Sequence, residues 1–325
     1  MQPEIRDAMH GVYLAKGIHG TTAIEGNTLS EEQVKARIEG KLELPESKEY
    51  LGKEVDNVIA GCNQILSQIM NGGQDLITPE EIKGYNNTVL DGLTVEKDVV
   101  PGEIRNHSVG VFRYRGAPAE DCEFLLDRMC QWLNHESFKQ KENQIVFGIL
   151  RAVLAHLYIA WIHPFGDGNG RTARLIEFKV LLSHGAPSAA AHLLSNHYNQ
   201  TRNEYYRQLK CTSKSGGDVF PFIKYAVIGL VDQMKEQASW IRGSQIKIAW
   251  RNYIYDQFKA QAGAVNERRR SLVLDLSEDV NRRIPFKEIR NISPRVAVGY
   301  AGKTDMAIRR DINALLAMEL ITKED

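Results

Sequence analysis

The chain has too little of several things to support several functions. Its four cysteines, Cys62, Cys122, Cys130 and Cys211, show no paired spacing of the kind a zinc site or a disulfide framework needs. They read as reduced core or surface thiols. The nine histidines show no repeated ligand spacing either, so no zinc centre is expected. No apolar run approaches the roughly 20 residues that span a bilayer, and Glu4, Arg6 and Asp7 stand where a signal peptide would carry an apolar block. The expectation is a cytoplasmic protein with no membrane partner. No internal repeat is present.

What remains is ordinary for a globular protein with a substantial core: 325 residues, 43% hydrophobic and 25% charged, more than one average domain. Helical spacing dominates. Ile145, Ile149, Val153, Leu157 and Ile162 recur every three to five residues, and Leu175, Ile176, Phe178, Val180, Leu181 and Leu182 form a second apolar stretch soon after. Cys122 to Asn134 continues the pattern, as does Phe220 to Trp240, and Ser213 to Asp218 between them reads as a loop. Ser30 with Gln33, and Thr78 with Pro79 and Glu81, have the form of helix N-terminal caps.

Charge changes sign near Trp240. Residues 241–325 hold 16 Lys and Arg against 11 Asp and Glu, a balance of +5, while residues 1–240 carry −5. We therefore place domains at 1–240 and 241–325. In the second, Ser293-Pro294 opens a helix, Ala301-Gly302-Lys303 makes a turn, and a longer helix starts at Thr304. That helix should bury Ile308, Ile312 and Leu315 while Lys303, Arg309, Arg310 and Asn313 face outward. The pattern suggests a small winged helix-turn-helix domain. With Arg268-Arg269-Arg270 nearby it could bind DNA, although a modest basic surface serves protein docking equally well.

The most informative run is His163-Pro164-Phe165-Gly166-Asp167-Gly168-Asn169-Gly170-Arg171-Thr172-Ala173-Arg174, a tight connection between two helices. Gly168 and Gly170 permit positive φ and close backbone approach, and the free N–H groups opening the second helix attract an anion. Arg171 and Arg174, three apart in the first turns of that helix, oppose its dipole and so answer to an outside anion. Asp167 offers the hard oxygen that Mg²⁺ takes when it also holds substrate phosphates. His163 is the one group of the run able to accept a proton near neutral pH.

This run resembles the Fic signature: His-Pro-Phe, an acidic residue, Gly-Asn-Gly-Arg, and a second Arg three positions later. The resemblance implies a mainly α fold, a Fic-type helical bundle with a short β-hairpin flap. It also implies transfer of AMP from ATP to a Ser, Thr or Tyr hydroxyl of a protein, self-modification included. His163 would then take the hydroxyl proton and Asp167 would hold Mg²⁺. The loop from Phe165 through Gly168, Asn169 and Gly170 would cradle the nucleotide phosphates, with Arg171 and Arg174 neutralising them. Relatives that use ATP as a kinase carry lysine where this chain has Gly170. The resemblance also allows a homodimer, and a winged helix-turn-helix is a common appendage in the family.

Three further segments follow from the same resemblance. His19-Gly20-Thr21-Thr22-Ala23-Ile24-Glu25-Gly26-Asn27 is similar to the inhibitory helix of Fic proteins, expected over about 18–27, with Thr21 and Glu25 as its marks. A Glu25 carboxylate beside Arg174 would remove the cation needed by the outer phosphate, or align a water for removal of AMP. The run 101–114 reads as a hairpin and resembles the flap that docks the target, with Val111, Phe112, Arg113 and Tyr114 near the nucleotide. Tyr205 and Tyr206 fall in a segment that lines the adenosine pocket in relatives. Ser213 stands where some of them place an adenine-binding Asn, which leaves the base open. The alternative function is a nucleotide-sensing, DNA-binding transcriptional regulator, which would need the anion hole but not the base His163.

Overall fold

The computed structural model describes residues 3–73, 75–111, 114–138, 141–259, 263–279 and 283–324. The chain divides into two compact units, 1–238 and 239–325. The first is helical: α1 (Pro3–Ile24), α2 (Glu31–Ile38), α3 (Glu49–Met70), α4 (Pro79–Leu90), α5 (Cys122–Leu133), α6 (Gln144–Ile162), α7 (Asn169–Ser183), α8 (Ser188–Ala191), α9 (Leu193–Gln200) and α10 (Arg202–Ser213). It ends inside α11 (Phe220–Phe258). The caps form as the sequence suggests: Ser30 and Gln33 make a reciprocal capping box, and Thr78 accepts from Glu81 N with Pro79 at the first helical position.

The site is carried by α6 and α7, which pack on each other. By length and composition α6 could cross a bilayer, although Arg151 and His156 interrupt its apolar run. It carries Arg151 and His156, both at 0% exposure, so it serves here as a core helix. Buried residues follow one another along α7 from Arg171 to Leu181, Arg174, Glu177 and Lys179 among them. A helix covered on all sides must give its polar groups internal partners. Glu177 accepts from Tyr198 Oη at 2.9 Å and lies 3.3 Å from His156 Nδ1, while Lys179 bonds Leu76 O and Glu81.

The expected inhibitory helix is the end of a much longer one. α1 runs 22 residues to Ile24 and packs on α9, where Gly20 lets the two helices approach: a Cβ there would lie 2.7 Å from Ser195 O. The expected hairpin over 101–114 contracts to β1 (Gly110–Val111) and β2 (Tyr114–Arg115), antiparallel, with Gly110 opposite Arg115. Residues before it cannot join a ladder because they are tied elsewhere: Gly102 N donates to Asn86, and Arg105 N to Pro164 O. Phe112 and Arg113, and the side chains of Val111 and Tyr114, lie outside the described residues, so the expected nucleotide contacts of these four do too.

In the second unit the remainder of α11, α12 (Ala264–Leu276), α13 (Pro294–Gly299) and α14 (Asp305–Ala317) enclose Ile254, Leu272, Val296, Tyr300, Ile308 and Leu315. The charge change at Trp240 does not end α11, since a change of sign leaves backbone bonding intact and Gly243 costs only about 1 kcal/mol. Ser293 caps α13, and α14 exposes Arg309, Arg310 and Asn313 as expected. No strand occurs among the described residues of this unit, so the expected wing is not seen. Pro285 instead opens a 3-10 turn, Phe286–Asn291.

Candidate functional site

The loop between α6 and α7 is held by its own side chains. His163 caps α6 in the left-handed conformation, φ 51°, its N–H still bonded to Ile159 O at 2.9 Å. Such a backbone is strained for a non-glycine residue and persists only where neighbours impose it. Arg105 imposes it. Its guanidinium donates to His163 O (2.8 Å), His107 O (2.7 Å) and Ala117 O (2.5 Å), and the residue is 4% exposed. Asn169 closes the other side through bonds between its side-chain amide and both Phe165 N and Phe165 O, at 3.0 and 2.8 Å. Its side chain therefore braces the loop. Phe165 itself is fully buried, so it anchors the loop rather than presenting a ring to a ligand. Asn86, from α4, bonds Asp167 O and Thr172 Oγ1.

Gly168 starts α7 at φ 76°. The amides of the first α7 turn lack helical partners by geometry, which makes this turn an anion site. Arg171 and Arg174 extend from it and are 4% and 2% exposed. Nε and Nη1 of both guanidinia are buried without a hydrogen-bond partner. Four such nitrogens around one helix start are costly unless an anion completes them.

Part of that charge is already met by carboxylates. Arg174 Nη2 donates to Glu25 Oε1 at 2.6 Å and to Thr21 O at 2.9 Å. Thr21 thus contributes its carbonyl, and its side chain is buried. A Cβ on Gly170 would collide with Glu25 Oε1, so the glycine is what lets the carboxylate rest against α7. Burial works against a charged Glu25, but the charge and hydrogen bond of Arg174, then Arg171 and His163, outweigh it and hold its carboxyl below the usual range. Arg171 lies 3.3 Å from Asp167 Oδ1 and 3.6 Å from Glu54 Oε1.

Burial also lowers the His163 pKa, and Arg105 adds to it, against a hydrogen bond to the Ala160 carbonyl and the charges of Glu25 and Asp167. The imidazole is therefore neutral at pH 7. An imidazole N–H directed at the Ala160 carbonyl uses one ring nitrogen as donor and leaves the other able to accept. Asp167 uses Oδ1 for Gly168 N and Arg171, and its side chain stays 51% exposed. A single half-exposed carboxylate beside a phosphate cradle fits the way Mg²⁺ is held, by one or two carboxylates plus substrate phosphates. No cluster of three or more metal-ligating side chains exists among the described residues.

The two tyrosines part company. Tyr205 is 3% exposed, bonds His156 Nε2 at 2.9 Å and stacks on Tyr198, so it supports the site from within the core rather than facing a nucleotide. Tyr206 donates to Ile24 O at 3.2 Å, which puts it at the end of α1. Sequence reasoning missed Arg105, Asn86 and Glu54 as members of the site, and Arg202, which lies outside it and holds the end of α1. Arg105, Asn86 and Arg202 act on carbonyls remote in the chain and Glu54 accepts from remote side chains, while Arg105 and Arg202 both lay inside segments already singled out.

Residues 76–181, which contain this loop and both its helices, match the profile of the Fic/DOC family. The chain carries a Fic/DOC family domain. It is 31% identical over 221 residues to "Protein adenylyltransferase fic-1" of Caenorhabditis elegans, covering 68% of this chain and 40% of that protein. Against "Protein adenylyltransferase Fic" of Nematostella vectensis identity is 30% over 213 residues, 64% of this chain and 45% of the relative. The matched region thus spans less than half the length of these curated relatives. Among solved structures, Fic-1 of C. elegans superposes with a TM-score of 0.60 at 26% identity, covering 75% of this chain and 68% of that one. A Fic family protein from Desulfovibrio desulfuricans G20 matches in fold, with a TM-score of 0.59 at 22% identity over 98% of this chain and 82% of its own.

Proposed function

We propose that this Fic protein is a nucleotidyltransferase that moves AMP from ATP to a hydroxyl side chain of a protein, and that Glu25 restrains it. The observation that carries the reading is the set of buried guanidinium nitrogens on Arg171 and Arg174 that make no hydrogen bond, beside a His163 whose pKa burial lowers. The triphosphate takes the first turn of α7 and the two arginines, charge stabilisation of the kind that dominates phosphoryl transfer. The free ring nitrogen of His163 accepts the proton of the target hydroxyl, whose oxygen attacks the α-phosphorus. The new O–P bond forms as the bond to pyrophosphate breaks. Arg105 keeps the imidazole aimed by fixing its backbone. Asp167 would hold Mg²⁺, which when bound supplies positive charge to the phosphates.

The acceptor segment adds as a strand to the free edge of the β1–β2 hairpin, where main-chain bonds hold it with little demand on sequence. Glu25 restrains the reaction by occupying Arg174 and the space over Gly170, so ATP binds without its α-phosphate in line with the incoming hydroxyl. The test uses purified Glu25→Gly protein and two labelled substrates. Label from α-labelled ATP should enter protein and label from γ-labelled ATP should not, and His163→Ala in the same background should abolish the signal. Incorporation of γ-label would make the protein a kinase and overturn the reading.

A further inference from the structure

Glu25 is placed by a turn, not by a helix. It follows the last residue of α1, with Glu25 N on Thr22 O at 3.1 Å, Gly26 N on Ala23 O at 3.0 Å and Asn27 N on Thr22 O at 3.2 Å. Gly26, at φ 104°, takes the chain away. The last carbonyls of a helix have no helical partner, so their position depends on what else donates to them. Here Ile24 O receives Arg202 Nη2 at 2.6 Å and Tyr206 Oη at 3.2 Å, both from α10. The guanidinium also lies over the Tyr206 ring, 5.8 Å from its centroid. A cation at a helix C-terminus is favourable on its own account, and this one is seated on the carbonyl immediately before the inhibitory glutamate.

The other side of the turn is pinned to α3. Asn27 is 7% exposed, and its amide donates to Leu51 O at 2.9 Å and Glu54 Oε2 at 2.8 Å while accepting from Leu29 N at 3.0 Å. Two fixed points, residues 24 and 27, therefore bracket an exposed two-residue span. Glu25 can reach Arg174 at 2.6 Å only from that span.

We propose that Arg202 and Asn27 are positioning residues that set the strength of the restraint by pinning the turn from opposite sides. The proposal rests on the reading of Glu25 given above. Loss of either pin lets the turn drift, frees Arg174 for phosphate part of the time, and raises AMP transfer without touching the transfer chemistry. Neither residue contacts His163, Asp167 or Arg174 through any hydrogen bond of the described residues.

The experiment compares full-length Arg202→Ala and Asn27→Ala in the Glu25 and Glu25→Gly backgrounds, by AMP transfer and by hydrogen exchange of the amides at 22–27. One lost hydrogen bond of this kind should raise transfer about 3- to 10-fold in the Glu25 background. In the Glu25→Gly background Arg202→Ala should leave the rate within about twofold, and Asn27→Ala, whose amide also holds Glu54 beside Arg171, is read by exchange at the turn. Arg202→Lys, which keeps a cationic donor, should return the rate toward wild type and provides a folded control if Arg202→Ala is unstable. The amides at 22–27 should exchange faster in both alanine variants. Equal activation in the Glu25→Gly background, or unchanged exchange at the turn, would overturn the pinning. Failure of Glu25→Gly itself to activate would overturn the restraint instead, and the exchange readout would still decide whether the pins hold the turn.

Discussion

Each unit of this protein buries an arginine against a carboxylate, and the two pairs are built differently. In the second unit Asp311 is fully buried and every acceptor is used: Arg268 reaches Oδ2 through Nε and Nη2 at 2.9 and 2.7 Å, Arg269 reaches Oδ1 at 2.8 Å, and Tyr300 Oη adds a bond at 3.2 Å. The Arg268 guanidinium also lies 5.1 Å from the Tyr300 ring centroid. In the first unit Arg174 gives one nitrogen to Glu25 and Thr21 and keeps two with no partner. A buried charge completed by its own fold is a structural element. One left incomplete at a helix N-terminus marks where a ligand belongs.

The contrast yields measurable differences, the largest in catalysis. Replacing His163 by Ala in the Glu25→Gly protein should cost about 10²- to 10⁴-fold in AMP transfer, the usual contribution of a general base. A residual rate near the parent's would show that the imidazole is structural. Next comes the closed pair: Asp311→Ala leaves two guanidinia uncompensated and should destabilise the second unit by about 3–5 kcal/mol, read by chemical denaturation. The corresponding Glu25→Gly change should leave stability nearly unaltered, because the Glu25 side chain is 34% exposed and Arg174 still bonds Thr21 O. If the two substitutions cost the same, the distinction between the pairs collapses.

The smallest effect is in pH dependence. Burial holds the His163 pKa below the ordinary value of about 6.5, so transfer should be lost only as pH falls through that lower value. Glu25 raises this pKa by its charge, so Glu25→Gly should move the acid limb lower still. A limb that shifts upward, or that sits above the ordinary histidine value, would mean that another group carries the proton.

How far all this could be read from the amino-acid order depends on the range of each interaction. The loop 163–174 was legible because its chemistry is local: the glycines, the acid and the arginines stand within one short run of sequence. The caps at Ser30, Thr78 and Ser293 were legible for the same reason. Glu25 could be paired with Arg174 only through the family pattern, since 149 residues separate them. Arg105 and Arg202 were not legible, because a side chain that bonds a distant carbonyl leaves no periodicity. Tyr205 and Tyr206 were read together, but two adjacent tyrosines on a helix point to different neighbours, one to His156 and one to Ile24. Charge changes sign near Trp240 and the compact units meet at residues 238 and 239, yet α11 runs straight through that position, because helical backbone bonding does not depend on net charge.

The restraint itself is tested most directly by the rate of AMP transfer from α-labelled ATP, wild type against Glu25→Gly at equal concentration. Freeing Arg174 should raise the rate about 5- to 150-fold, the range that couplings of this kind span. Equal rates would contradict the claim that this carboxylate holds the site in check.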